Sequence, residues 1–189
     1  MVITLKDGSK KEYAESKSVY DIALDISEGL ARAACAGEVN GEVVDLRTVI
    51  EEDCELNILT AKDAAGLAAL RHTTSHVLAE AVKNLFPEAK LAIGPSIENG
   101  FYYDVDPGET VIKDSDFAAI EKKMLELVAK KESIVRHDIS KADALKMFGD
   151  RGEEYKVELI SELADGTIST YTQGAFTDLC RGPHIPNTS

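Results

Sequence analysis

The chain has 189 residues, of which 44% are hydrophobic and 29% charged, and its formal net charge is −13 at pH 7. This composition excludes collagenous, coiled-coil and disordered chains, and no run approaches the ~20 apolar residues of a membrane span. The acidic balance disfavours non-specific binding to nucleic acid, because a phosphate backbone repels it. Three widely spaced cysteines do not make a disulfide framework, and the first residues lack the pattern of a secretory signal, so we expect a reducing cytoplasm.

Residues 1–61 are predicted to form a small domain of short strands around one helix. An Asp-Gly turn at 7–8 and an Asn-Gly turn at 40–41 indicate two hairpins. Between them, a helix is expected to begin after Ser18, a capping residue, and its apolar stripe extends to Leu30. The resulting order β-β-α-β-β-β is that of a ubiquitin-like β-grasp fold.

Residues 62–189 are predicted to form a larger α+β domain. A long helix is expected from Lys62 to Phe86, because apolar residues recur at helical spacing until Pro87. A second helix is predicted from Asp114 or Ser115 to Glu132, and a third after Ser140. The predicted strands of this domain are 91–93, 101–105, 155–159 and 168–172.

Two histidines are the first candidates for chemistry. His72 and His76 are four residues apart on the long helix, so their imidazoles project from one face with Cβ atoms roughly 5–6 Å apart. Such a pair can hold one ion or bracket one substrate, whereas the alternative is a polar pair on a solvated face. The intervening Thr73, Thr74 and Ser75 give a small, hydroxyl-rich wall that favours a polar pocket.

A second motif, Cys180-Arg-Gly-Pro-His184, lies near the carboxyl end. Its glycine and proline exclude a helix, so the motif is predicted to be a turn that presents a thiol and an imidazole. The alternative is a buried, inert Cys180 with a surface His184. The remaining histidine, His137, is interpreted as an ordinary polar residue in a charged connection.

Together the two motifs supply three histidines and one cysteine, a set from which tetrahedral zinc sites are built. Four protein ligands would saturate zinc and leave no position for water, whereas catalytic zinc keeps one open. The sequence therefore leaves three alternatives: a structural zinc, a zinc that one of the four does not bind, or a site that works without metal. A Cys–His nucleophile pair is less favoured, because no nucleophile turn surrounds Cys180.

Four segments resemble, in order, the amino-terminal region of bacterial threonyl-tRNA synthetases. The first 61 residues look like the TGS domain of that family. The remainder is similar to its editing domain, the second additional domain that threonyl- and alanyl-tRNA synthetases share, and the resemblance covers essentially the whole chain. The segments are RHTTSHVLAEA (71–81), GPSIENGFYYDV (94–105), RGEEYKVELI (151–160) and DLCRGPH (178–184).

The resemblance implies an editing function. A pocket sized for threonine cannot strongly exclude serine, because the missing methyl is worth only ~1–3 kcal/mol. The family therefore deacylates seryl-tRNA(Thr) at a second site, where the extra methyl of threonine does not fit. The implied reaction is hydrolysis of an aminoacyl ester, with the acceptor end of tRNA(Thr) as partner, a seryl-adenosine ester as substrate and no membrane.

The chain lacks the family's class II catalytic core and anticodon-binding domain, so we expect a fragment. This fragment is expected neither to activate threonine nor to use ATP. The resemblance implies that the longer enzyme attaches threonine to tRNA(Thr) with ATP, Mg and Zn in that core, through which it forms a homodimer.

The resemblance also implies residue roles. His72 and His76 would position the ribose or the attacking water, with one of them as general base. Lys156, on the predicted strand 155–159, would offer a cation to the developing oxyanion or to a phosphate. Asp178 would anchor the α-ammonium group of the substrate.

The other implied roles concern the pocket walls. Cys180 and His184 would line the pocket and gate the side chain, and Arg181 would touch a phosphate. One of the adjacent tyrosines would stack on the terminal adenine. Strand alternation turns only one of them inward, and Tyr102 is preferred over Tyr103.

Metal dependence stays open, because the alanyl-type editing domain binds zinc through the same pattern. A zinc here would be held by His72, His76, Cys180 and His184, but hydrolysis without a required cofactor is favoured. The alternative functions are a tRNA-binding accessory module and a zinc-stabilised structural module, neither with catalysis of its own.

Overall fold

A computed structural model describes all 189 residues, and they divide into two compact units. The first unit contains residues 1–71 and 182–186, and the second contains residues 72–181 and 187–189. None of the helices combines the length and the apolar character that crossing a membrane requires. The sequence-based boundary between residues 61 and 62 stays a prediction.

The first unit is built on a mixed five-stranded sheet with strand order β2-β1-β7-β4-β5, in which β1 and β7 are parallel and the other neighbours antiparallel. Two further short strands, β3 and β6, pair with each other. This is the predicted β-grasp arrangement. Its elements are β1 (Val2–Leu5), β2 (Lys10–Glu12), β3 (Lys17–Ser18), α1 (Val19–Ile26), α2 (Glu28–Ala33), β4 (Ala34–Val39), β5 (Glu42–Val44), β6 (Val49–Ile50) and β7 (Cys54–Thr60).

The helical segment of the first unit is interrupted, although the sequence predicts one helix to Leu30. Ser18 caps α1 by accepting the Asp21 N–H (3.1 Å). Ser27 has extended backbone (φ −169°) and caps α2 by accepting the Leu30 N–H (3.0 Å). The chain therefore starts a second helix at Ser27, because a serine hydroxyl satisfies an N–H that has no partner in the first turn.

The core of the first unit lies between the sheet and α1. Apolar side chains from β1, α1, β7 and the segments between them are almost completely buried there. Burial of this apolar area supplies the main driving force for folding of the unit. The cluster includes Ile3, Val19, Ile22, Ala23, Leu46, Ile50 and Leu56.

The second unit mixes helices with short antiparallel sheets, as the α+β prediction states. Its main sheet has the order β12-β13-β14, and two small ribbons pair β8 with β11 and β9 with β10. Helix α3 begins in the sequence range of the first unit. The elements are α3 (Ala64–Leu85), β8 (Lys90–Leu91), β9 (Ser96–Ile97), β10 (Gly100–Phe101), β11 (Val105–Asp106), a 3₁₀ turn (Asp114–Asp116), α4 (Phe117–Lys130), β12 (Ile134–Asp138), α5 (Lys141–Asp150), α6 (Glu154–Glu162), β13 (Ser169–Gln173) and β14 (Phe176–Leu179).

The predicted strand at 155–159 is wrong, because these residues lie in helix α6. Lys156 and Ile160 are the buried residues of this helix, and their spacing of four residues fits one helical face. The sequence alternates polar and apolar residues over this short stretch. It therefore fits both the two-residue period of a strand and the 3.6-residue period of a helix, and packing decides between them.

Residues Ile134–Asp138 form strand β12, whereas the sequence predicts that His137 lies in a charged connection. Only Ile134 of the strand is buried, while the next four residues, including His137, are exposed. Its register pairs Ile134 with Gln173 of β13. An edge strand with this many exposed polar residues shows no apolar alternation from which it could be predicted.

Two apolar clusters hold the second unit together. One joins α3 to α4 through Val77, Val82 and Leu127. The other joins α5 to α6 through Phe148 and Ile160. Helices α3 and α6 are therefore each anchored by an apolar face. Polar side chains on their other faces are free to meet in a separate, polar region.

The same glycine-to-alanine change is expected to have opposite effects at two helical positions. A Cβ on Gly66 would lie 2.0 Å from the Thr60 carbonyl oxygen, whereas one on Gly149 would meet nothing within 4 Å. We expect Gly66→Ala to lower the free energy of unfolding by roughly 1–3 kcal/mol through overpacking. Gly149→Ala should raise the free energy by roughly 0.5–1 kcal/mol. Urea unfolding followed by circular dichroism measures both, and equal shifts in one direction would contradict this packing.

Candidate functional site

The two histidines of helix α3 lie against each other. Their ring centroids are 5.1 Å apart and the ring planes are nearly perpendicular, at 88°. His76 is buried, with 4% of its surface exposed, and His72 is half-buried. Between them, Ser75 is fully buried and its hydroxyl donates to the Gly94 carbonyl oxygen (2.6 Å). This helix face is thus polar but removed from bulk solvent.

Cys180 is fixed beside His72 by the end of the β13–β14 hairpin. Its N–H donates to the Ser169 carbonyl oxygen (3.1 Å), and the Ser169 hydroxyl donates back to the Cys180 carbonyl oxygen (2.6 Å). The Cys180 Sγ lies 3.3 Å from His72 Nε2. The donor atoms of His72, His76 and Cys180 all lie within 4.8 Å of one another.

A buried ion pair adjoins the histidines. Lys156 Nζ lies 2.7 Å from Asp178 Oδ1, and each side chain is only 3% exposed. Lys156 Nζ also donates to the Ala92 carbonyl oxygen (2.6 Å) and to the Tyr103 hydroxyl (3.0 Å), while that hydroxyl donates to Asp178. On the other side, Asp178 Oδ2 lies 3.7 Å from His76 Nε2. The network connects α6, β14 and α3.

The two tyrosines differ in exposure. Tyr103 points inward and contacts both charges of the ion pair, whereas Tyr102, the preferred candidate, is 42% exposed. The sequence predicts that only one tyrosine turns inward and favours Tyr102; this choice is wrong, because Tyr103 is the one that packs against Asp178. Arg181 is also exposed, so Tyr102 and Arg181 are both accessible to a ligand.

His184 lies in the 182–186 segment of the first unit, where it is fully buried. Its N–H donates to Asp45 Oδ2 (3.0 Å), and its carbonyl oxygen accepts from Arg47 Nη1 (3.0 Å). Arg47 also pairs with Asp45 at 3.0 Å. Sequence reasoning missed this Asp45–Arg47 support, because two charged residues in a loop carry no distinguishing pattern.

A cavity of about 400 Å³ opens beside the ion pair within the second unit. Phe176 lines it, and the Phe176 ring centroid is 6.4 Å from that of His76. The cavity thus reaches the same polar region from the side of α5 and α6. Its lining residues include Glu80, Lys83, Asn84, Arg151, Glu153, Lys156, Thr177 and Asp178.

Comparison with known proteins finds matches to two domain families. Residues 1–60 match the TGS domain, and residues 168–189 match the threonyl and alanyl tRNA synthetase second additional domain. The chain is 63% identical over 187 residues to threonine–tRNA ligase of Parabacteroides distasonis, which covers 99% of this chain and 29% of the relative. The chain matches the amino-terminal part of bacterial threonyl-tRNA synthetases.

More distant relatives give the same result. Threonine–tRNA ligase of Acetivibrio thermocellus is 54% identical and that of Clostridioides difficile is 51% identical, each over 98% of this chain. The chain spans 29% of the length of these relatives. The resemblance recognised in the sequence motifs is confirmed.

The electrostatics of this candidate site follow from burial. Burial lowers the pKa of His76 to about 4, against the opposing charge of Asp178. For Asp178 itself, burial alone would raise the pKa, but the charges of Lys156 and His76 and the hydrogen bonds of Lys156 and Tyr103 outweigh it and lower the pKa. Burial and the Asp178 charge raise the pKa of Tyr103. At pH 7 the site therefore presents a neutral imidazole beside an ionised carboxylate.

The lowered pKa of His76 makes the stability depend on pH. Unfolded His76 binds a proton near pH 6.5 and folded His76 only near pH 4, so acidification across this window favours the unfolded chain. In metal-free, chelator-treated protein, the corresponding loss from the free energy of unfolding is about 3 kcal/mol. Urea unfolding between pH 7 and pH 4 measures it.

Two glutamine variants separate this effect from other titrations. His76→Gln should flatten the pH dependence across that window, whereas His137→Gln, at an exposed strand position, should leave the slope of the wild type. Parallel curves for the wild type and His76→Gln would show that His76 does not titrate in this way.

Proposed function

We propose that the chain hydrolyses the ester of seryl-tRNA(Thr) in the cytoplasm. The observation that carries this proposal is the buried network of His76, Asp178, Lys156 and Tyr103 beside the His72–Cys180 contact. It supplies a neutral base, a cation and a carboxylate in one polar region. The match to the threonyl and alanyl tRNA synthetase second additional domain supports the same reaction class.

In the proposed reaction, a water molecule attacks the acyl carbon of the serine ester. The imidazole of His76, which its low pKa keeps unprotonated at neutral pH, accepts a proton from this water. The bond from the acyl carbon to the ribose oxygen breaks, and the proton passes to that ribose oxygen. His72, one turn earlier on α3, holds the ribose end.

The charged pair has two complementary roles in this proposal. The Lys156 ammonium stabilises the negative charge that develops on the carbonyl oxygen of the ester. Asp178 holds the α-ammonium group of serine through the carboxylate oxygen that faces His76. Because both groups are buried and hydrogen-bonded before substrate arrives, little reorganisation is needed at the moment of reaction.

Selection between serine and threonine is proposed to occur at Cys180 and His184, which follows Cys180 by four positions. A wall at these side chains would leave room for the serine hydroxymethyl group but not for the extra methyl of threonine. The exposed Tyr102 and Arg181 are proposed to contact the terminal adenine and a phosphate of the acceptor end.

Threonylation is proposed only for a longer protein. The relatives are threonine–tRNA ligases, and this chain corresponds to 29% of their length. ATP-dependent attachment of threonine, with its Mg and Zn, and homodimer formation would belong to the parts beyond this region.

A deacylation assay tests the proposal. The purified chain, at low salt and saturating concentrations of a seryl minihelix, should hydrolyse the ester faster than buffer does and spare the threonyl minihelix. Removing a general base costs roughly 10²–10⁴-fold in rate. We therefore expect a loss of that order in His76→Ala, and smaller losses in His72→Ala and Cys180→Ala.

His137→Ala is the matched control and should keep both rate and melting temperature. If the seryl ester is as stable with the chain as in buffer, while a full-length threonyl-tRNA synthetase clears it, this part of the sequence is not a sufficient hydrolase. An accessory tRNA-binding role would then be favoured.

A zinc-stabilised structural module is the second candidate. The 3.3 Å between Cys180 Sγ and His72 Nε2 fits two neighbouring ligands of one tetrahedral zinc ion, given metal–ligand bonds of roughly 2.0–2.3 Å. His72, His76 and Cys180 would hold the ion, and the sequence motif supplies His184 as a fourth ligand. A bound zinc would then contribute folding free energy.

Metal analysis separates the two functions. Hydrolysis without metal predicts that a chelator-treated chain keeps its melting temperature and its deacylation rate. A structural site predicts one zinc per chain and unfolding when the ion is removed. Atomic absorption of the purified chain, followed by thermal unfolding with and without chelator, distinguishes these outcomes.

A further inference from the structure

We propose that Glu153 is a positioning residue for Lys156, and that it acts through an ion pair with Lys83. Neither residue belongs to the predicted site, and both line the cavity beside it. The inference rests on the proposed hydrolysis, in which Lys156 stabilises the developing oxyanion.

Glu153 is the residue from which helix α6 starts. Its carbonyl oxygen accepts the Val157 N–H (3.1 Å), so Lys156 lies in the first turn that Glu153 begins. Its carboxylate makes no cap hydrogen bond within this helix and instead contacts residues outside α6. Oε1 lies 2.9 Å from Lys83 Nζ, and Oε2 lies 3.4 Å from the Leu91 N–H that donates to it.

The Glu153–Lys83 ion pair and the bonds around it form a junction between α3, the segment before β8 and α6, and Lys83 is its partner from α3. It is in the last turn of α3, two turns beyond His76, and its ammonium also donates to the carbonyl oxygens of Pro87 (3.1 Å) and Ala89 (2.8 Å). One ammonium therefore joins the end of α3, the segment leading into β8 and the start of α6. Displacing any one of these three segments from the others would break one of these bonds.

The junction determines where the Lys156 ammonium lies. Glu153 binds the amide of Leu91, and the carbonyl oxygen of the next residue, Ala92, accepts from Lys156 Nζ at 2.6 Å. The same first turn of α6 is thus attached at two successive residues, the last residue of β8 and the one that follows it. If Glu153 is released, the first turn loses one attachment, and the Lys156–Asp178 distance is no longer fixed from this side.

The neighbouring Glu154 provides a matched comparison. It also makes a lysine ion pair at 2.9 Å, with Lys90, but its side chain is 74% exposed against 11% for Glu153. An exposed pair contributes little because water screens it and its side chains stay mobile, whereas breaking a buried pair leaves an uncompensated charge. The two glutamates therefore have the same chemistry in different surroundings.

Glu153→Gln tests the inference, with Glu154→Gln as the control. We expect the kcat of Glu153→Gln for seryl minihelix hydrolysis to fall at least tenfold while KM changes less than threefold, because an interaction made mainly in the transition state is weakened. Acetylation of Lys156 by acetic anhydride, quantified by peptide mass spectrometry, should become at least fivefold faster. Acetylation of Lys141, which binds the far end of α6 through Ser161 and Leu163, should not change.

The two readouts keep the inference separate from the proposed function. If the wild type does not hydrolyse the ester, the proposed function fails, and the labelling of Lys156 still reports whether Glu153 positions it. Unchanged labelling of Lys156 and unchanged kcat in Glu153→Gln would overturn the inference, as would equal effects in Glu154→Gln. Faster labelling of Lys141 as well would assign Glu153 a general structural role and overturn it too. If Glu153→Gln does not fold, Lys83→Gln removes the same ion pair from α3 and is judged by the same outcomes.

Discussion

The candidate site depends on one buried ion pair, Lys156 with Asp178. Removing two charges from water costs several kcal/mol each, and their mutual attraction offsets this only when further hydrogen bonds satisfy them. Here the hydroxyl of Tyr103 and the carbonyl of Ala92 provide such bonds, and His76 borders the carboxylate. Each partner comes from a different part of the second unit, so the pair can exist only when that unit is folded.

Burial determines the protonation state of the imidazole beside this ion pair. A histidine next to an ionised carboxylate is usually more basic, but burial outweighs that attraction and leaves His76 neutral. The Asp178 charge is instead balanced by Lys156 and Tyr103. The same surroundings thus hold a carboxylate ionised and an imidazole uncharged at one pH, and a base and an anion are both available for chemistry.

Sequence patterns predicted the elements whose local signals agree with their packing. The β-grasp unit and α5 have capping serines and turn residues at their ends, and α3 has a long apolar repeat. The pairing of His72 and His76 could also be predicted from a local pattern, because residues four apart on a helix share a face. Where packing overrides a short pattern, the predictions are wrong: α6 is predicted as a strand, β12 as a connection, and Tyr102 rather than Tyr103 as the inward tyrosine. The Glu153–Lys83 and Asp45–His184 contacts join residues that are distant in sequence, so no local pattern indicates them.

Asp178 lies in β14 and Cys180 directly follows this strand. Only Gly174 and Ala175 join β14 to β13, and Gly174 is in the left-handed region at φ 54°. Residues two apart on an extended strand point to the same side. A length change of one residue in this tight connection would therefore turn both the carboxylate and the thiol away from the histidine helix, and bring Leu179 to their side. Natural insertions should therefore be absent from the two-residue loop at 174–175 in every related chain that uses the residues at positions 178 and 180 together.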